Sequence, residues 1–99
     1  MPNYRSESID RLFRAIMTLN NLEDCYTFFD DICTISELQD MAQRLDTAFL
    51  LNEGKSYQTI SQQVGVSTAT IGRVSRCLNY GKGGYKTVID RLRGREEQK

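Results

Sequence analysis

The sequence predicts an all-α fold, and three observations carry that prediction. Proline occurs once, at position 2, so nothing interrupts a helix from Ser6 onward. Apolar residues recur at spacings of three and four in one segment after another. Hydroxyl residues and glycines stand where helices need a start or a stop. At 99 residues, 39% of them hydrophobic, the chain has the length of one domain. A domain this small buries only part of its apolar surface, which leaves scope for a core shared with a second copy.

The first helix is expected from about Glu7 to Leu19, with Ile9, Leu12, Phe13 and Ile16 as its stripe and Asn20 and Asn21 ending it. The second is expected from about Leu22 to Asp31. There Leu22, Cys25, Tyr26, Phe28, Phe29 and the following Ile32 are too apolar all round for a surface helix, which predicts burial against another element or another chain. Thr34 stands three residues before Glu37, the spacing at which a hydroxyl caps a free backbone N–H and the acid reaches back to the cap. The central helix therefore starts here, with Leu38, Met41, Ala42, Leu45, Ala48, Phe49 and Asn52 on one stripe and Gly54 in the terminating position. Ser56 caps a short helix through Val64, in which Ile60 and Val64 face inward, and Gly65 ends it. Ser67 caps the next, where Ile71, Val74 and Leu78 carry the stripe to about Asn79. Residues 79–85 read as a glycine-rich basic loop. A last helix runs from about Lys86 to Arg93 on Val88, Ile89 and Leu92, inside a C-terminal segment of residues 86–95.

Composition removes several classes of function. There is no histidine, the residue most used for proton transfer near neutral pH and the commonest metal ligand, and no feature favours an enzyme. Cys25, Cys33 and Cys77 fit neither a disulfide framework nor the close pairs of a zinc site, and read as core residues or reduced thiols. Asp24, Asp30, Asp31 and Asp40 lack close ligand spacing and read as a solvated face rather than a metal cluster. No cofactor is expected from these residues. No apolar run approaches the ~20 residues of a membrane span and no signal-peptide core follows Met1, so a cytoplasmic location and no membrane partner are expected. Gly81 to Thr87 lacks the order of a phosphate-binding loop and has no strand before it; it reads as a linker whose Lys82 and Lys86 can touch the backbone of a polyanion.

The net charge of zero conceals a separation. Residues 1–53 carry four basic and ten acidic side chains, a balance of minus six, whereas residues 54–95 carry eight basic side chains and only Asp90 as acid, a balance of plus seven. Glu96, Glu97 and Lys99 return the total to zero. Charge separated along the sequence permits charge separated in space, and a basic half can meet a polyanion.

Two short helices joined at Gly65 are the elements of a helix-turn-helix, whose second helix enters the DNA major groove. Ile60, Val64, Val66, Ile71 and Val74 stand where such a motif needs apolar contacts. Ser67, Thr68, Ala69, Gly72, Arg73 and Arg76 are left facing outward. Short side chains let a backbone approach base edges, Thr and Ala meet a thymine methyl, and Arg contacts guanine or phosphate. No acid occurs between Gly54 and Tyr85, which favours double-stranded DNA as partner. The alternative is a helix-turn-helix scaffold working through protein–protein contacts, motivated by the zero net charge.

The segment Thr34–Leu78, in particular Leu50-Leu51-Asn52-Glu53-Gly54-Lys55-Ser56 followed by Ala69-Thr70-Ile71-Gly72-Arg73, resembles the Trp repressor superfamily. Over nearly its whole length the chain is most similar to the Trp-repressor-like family labelled YerC/YecD. The resemblance implies a DNA-binding transcriptional regulator, a repressor by analogy, built as a six-helix, all-α Trp-repressor-like subunit in an intertwined homodimer with two reading heads. One domain, 1–99, then comprises dimerisation helices (1–33), a central helix (34–53), the helix-turn-helix (56–79) and the C-terminal helix (86–95). The Trp repressor holds a small-molecule corepressor between an arginine of the central helix and one of the recognition helix. By resemblance these fall on Arg44 and Arg73, with Thr34 opening the pocket. The glycine that follows the second arginine is Val74 here, whose branched side chain fills part of the pocket and counts against tryptophan. Read from the residues alone, the alternative is that one arginine pairs with Asp40 or Asp46 and the other touches phosphate.

Overall fold

The computed structural model describes residues 4–97. Six helices follow in order: α1 (Glu7–Ile16), α2 (Leu22–Ile32), α3 (Ile35–Asn52), α4 (Tyr57–Val64), α5 (Thr68–Tyr80) and α6 (Gly84–Glu97), with no strand among the described residues. The chain divides into two compact units, Met1–Leu38 and Gln39–Lys99.

In the first unit, Ser6 Oγ accepts the Ile9 N–H at 3.1 Å and starts α1. The helix stops at Ile16, three residues before the expected Leu19, because the chain tightens: the N–H groups of Thr18 and Leu19 donate to the carbonyls of Ala15 and Ile16, three residues back. The Thr18 hydroxyl also donates to the Ala15 carbonyl. Asn20 and Asn21 do not end α1; they begin α2. Asn21 Oδ1 accepts the Asp24 N–H at 2.8 Å and Asp24 Oδ2 accepts the Asn20 N–H at 3.1 Å, a reciprocal cap that the sequence reading assigned to the wrong helix. Phe28 and Phe29 meet edge to face, 5.5 Å apart. No residue of α1 or α2 is buried within the chain, and Phe13, expected in the inward stripe, is 52% exposed. The apolar density of α2 is thus not consumed by its own chain.

The expected reciprocal cap of α3 is present. Glu37 donates its N–H to Thr34 Oγ1 at 3.0 Å, and Thr34 donates its N–H to Glu37 Oε1 at 2.9 Å. The Thr34 backbone N–H foremost, with the Thr34 hydroxyl beside it, holds the Glu37 carboxyl below its ordinary value of 4.5.

In the second unit, two apolar clusters meet at Leu51. One joins Ala48, Val74 and Ile89, with Phe49, Leu51 and Tyr85 against it. The other joins Ile60, Val66 and Ile71, with Leu50, Leu51 and Val64 against it. Burying each of these isoleucines contributes about 2 kcal/mol. The expected α3 stripe is buried only in part, since Met41 and Ala42 are exposed. Gly65 takes φ +84° after α4, the left-handed value its Cβ-free backbone permits. Gly83 does the same, and its carbonyl accepts the Thr87 N–H; α6 therefore begins at Gly84, two residues before the expected Lys86, and the glycine-rich loop is shorter. Val88, expected inside, is 43% exposed, while Ile89 is fully buried. Lys86 Nζ donates to Asn52 Oδ1 at 3.3 Å, and Arg93 stands 3.6 Å from Glu53, so cations of α6 meet the C-terminal end of α3, where the helix dipole favours them.

Candidate nucleic-acid interface

The reading unit is built by local bonds. Ser56 Oγ accepts the Thr59 N–H at 3.1 Å and starts α4. Between α4 and α5, the Ser61 hydroxyl donates to the Val66 carbonyl at 2.9 Å, fixing the turn after Gly65. Ser67 Oγ accepts the Thr70 N–H and its hydroxyl donates to Thr70 Oγ1, each at 3.1 Å, which orients the first turn of α5. Ile71 and Val74 then face inward and are fully buried with Ile60.

That anchoring decides what points outward. At 3.6 residues per turn, Ala69, Arg73, Arg76 and Tyr80 lie within about 60° of arc on α5, and all four are exposed. Thr68 is exposed beside them, and Lys82 just beyond the helix end is exposed as well. Gly72 is half-buried, yet a Cβ built on it would meet no atom within 4 Å. Among the described residues, neither Arg73 nor Arg76 forms an ion pair or a hydrogen bond. Ser67 is exposed, but its oxygen is engaged as a cap, so it orients the helix first. Tyr80, 87% exposed, escaped the sequence reading; its spacing of four from Arg76 was the available signal.

Beside this face lies a polar cleft of about 340 Å³, with Asp40, Gln43 and Arg44 on one wall and Gly65, Val66, Ser67 and Thr70 on the other. The three residues of the expected ligand pocket are placed differently from one another. Arg44 lines the cleft and Arg73 does not. Thr34 belongs to the N-terminal unit, where it caps α3. Val74, in the position that glycine occupies in the Trp repressor pattern, packs into the core with Ala48 and Ile89. Among the described residues Arg44 pairs with neither Asp40 nor Asp46. Asp40, Gln43 and Thr70 were not foreseen as cleft residues, because their approach depends on how the turn packs on α3.

In the first unit, Leu22, Cys25, Tyr26, Phe29 and Leu38 line an apolar groove of about 250 Å³. No group of three or more metal-ligating side chains comes together among the described residues, and none of their helices is long and apolar enough to cross a membrane.

Known proteins share this fold. The family profile described as Trp repressor protein matches residues 7–93. The Bacillus subtilis protein YerC, described as uncharacterised, is 50% identical over 94 residues, 95% of this chain and 90% of its own length. The crystal structure of a TrpR-like protein from Eubacterium eligens superposes with a TM-score of 0.87 at 44% identity, covering 89% of this chain and 91% of that one. A structure from Staphylococcus aureus, described as a candidate Trp repressor, gives 0.87 at 48% identity, covering 90% and 89%.

Proposed function

The chain belongs to the Trp repressor family, a family of DNA-binding regulators rather than enzymes, and on that premise we propose that it is a homodimeric, sequence-specific repressor that sets α5 into the major groove. The observation that carries the reading is the outer face of α5. Thr68, Ala69 and Gly72 keep the backbone low, Arg73 and Arg76 extend from it with no partner among the described residues, and no acid lies between Gly54 and Tyr85 to repel the duplex. Short residues at the start of the helix suit base edges, and the arginines suit guanine or phosphate. The dimer is supported by α1 and α2, which have no buried residue in the single chain, and by the apolar groove that α2 forms with Leu38 of α3. A two-fold dimer of such a regulator reads half-sites one helical turn of DNA apart, about 34–36 Å. Such a regulator acts beside its DNA in the cytoplasm. Val74, where the Trp repressor pattern has glycine, counts against tryptophan as the corepressor.

Selection of bound duplex from a random pool, followed by fluorescence anisotropy across a salt series, tests the reading. A two-fold-related half-site pair and a steep loss of affinity with salt are expected. Thr68→Glu should nearly abolish binding, and Arg76→Ala should weaken it and reduce the salt slope by about one per subunit. Binding without sequence preference or salt dependence would instead favour a helix-turn-helix that serves protein contacts.

A further inference from the structure

The cleft beside the turn holds an arginine that no other described residue engages. Arg44 is half-buried, and among the described residues its guanidinium takes part in no hydrogen bond or ion pair. An arginine has five N–H donors in a rigid fork and no way to lose its charge. Asp40 lies one helical turn away on α3 and lines the same cleft, yet the two do not pair. A partly dehydrated guanidinium left open to a roomy polar cleft calls for an anion from outside.

The position of the cleft identifies that anion. Ser67 belongs both to the cleft wall and to the exposed start of α5, and Thr70 in the cleft is one residue on from Ala69, about 100° around the helix. The cleft therefore flanks the reading face. A helix is about as wide as the major groove, ~10–12 Å, so a surface on its flank meets the sugar–phosphate ridge bordering the groove rather than base edges. On the basis of the proposed DNA-binding role, we propose that Arg44, outside the helix-turn-helix, grips a backbone phosphate of the bound duplex in this cleft, and that Asp40 opposes the contact and restrains affinity. Two neighbouring side chains thus act on the same phosphate with opposite sign.

The test uses the full-length protein, the duplex recovered by selection with the unaltered chain, and a scrambled duplex. Arg44→Gln should lower affinity for both duplexes by a similar factor, roughly tenfold, and reduce the salt slope by about one per subunit. Arg44→Lys should keep the slope. Asp40→Asn should raise affinity for both about two- to fivefold. Circular dichroism and melting of each variant separate loss of contact from loss of fold. An Arg44→Gln protein that folds and keeps affinity and slope overturns the proposal, as does an Asp40→Asn protein that binds more weakly. Melting with added inorganic phosphate supplies the second arm. If phosphate stabilises the unaltered protein and not Arg44→Gln, while the DNA slope stays the same in both, the anion is a small phosphorylated compound and the DNA assignment is lost. If the unaltered protein binds no duplex at all, the regulator reading itself fails, a result visible before any variant is made.

Discussion

Replacing Gly72 by Ala should make the protein more stable and a worse DNA binder. Gly72 is the fifth residue of the thirteen-residue α5, where glycine is less favourable than alanine by about 1 kcal/mol, largely because of its greater freedom in the unfolded chain. The new methyl would meet nothing within 4 Å, so no steric cost offsets the gain inside the chain. A gain of about 1 kcal/mol in a domain of this size raises the melting temperature by roughly 4–8 °C. On the outside, the methyl would stand where the duplex is expected to press closest, and a misfit of only 1.4 kcal/mol is tenfold in affinity. The measurement is a pair of curves, thermal unfolding by circular dichroism and anisotropy on the selected duplex. Gly94 in α6 is the control, since its added Cβ also meets nothing within 4 Å; Gly94→Ala should share the stability gain and leave DNA affinity alone. A Gly72→Ala protein that is stabilised but binds DNA unchanged would refute the close-approach argument, and one that is destabilised would refute the placement of position 72.

Three further outcomes are expected. Because Glu37 is held below its ordinary value of 4.5 by Thr34, its contribution is fully present above that value and is lost as pH falls through the lowered folded value. The melting temperature of the unaltered protein should therefore exceed that of Glu37→Gln near neutrality, and the gap should close on acidification; a gap independent of pH would contradict the cap. If α1 and α2 find their core in a second copy, each tenfold dilution should remove about 1.4 kcal/mol of apparent stability, read as a falling melting temperature. Calorimetry with L-tryptophan should give no binding heat, while Val74→Gly, which empties a fully packed position, should cost about 3 kcal/mol or more in denaturant unfolding; clear tryptophan binding by the unaltered chain would show that Val74 does not block the site.

Much of this molecule was legible in one dimension because the interactions that shape it are short. The Thr34–Glu37 cap, the Ser56 and Ser67 caps and the left-handed Gly65 all act within about one turn of helix, and each is a residue type that fits one backbone need. Where several residues meet the same need, local pattern does not choose between them. Asn20 and Asn21 suit the end of one helix and the start of the next, and they serve the start of α2. Gly81, Gly83 and Gly84 all permit a turn, and the backbone turns left-handed at Gly83.

The six helices, the turn at Gly65 and the solvent-facing side of α5 are written in the residues themselves. Those follow from periodicity and capping, whose range is a few residues. That Ile89 is buried while Val88 stands half in solvent follows from packing, because it rests on Ala48 and Val74, both far away in the chain. Packing also decides that Arg44 faces a cleft formed with the turn at Gly65–Ser67, more than twenty residues later. A side chain's partners across such distances depend on how helices pack, and no local pattern records that.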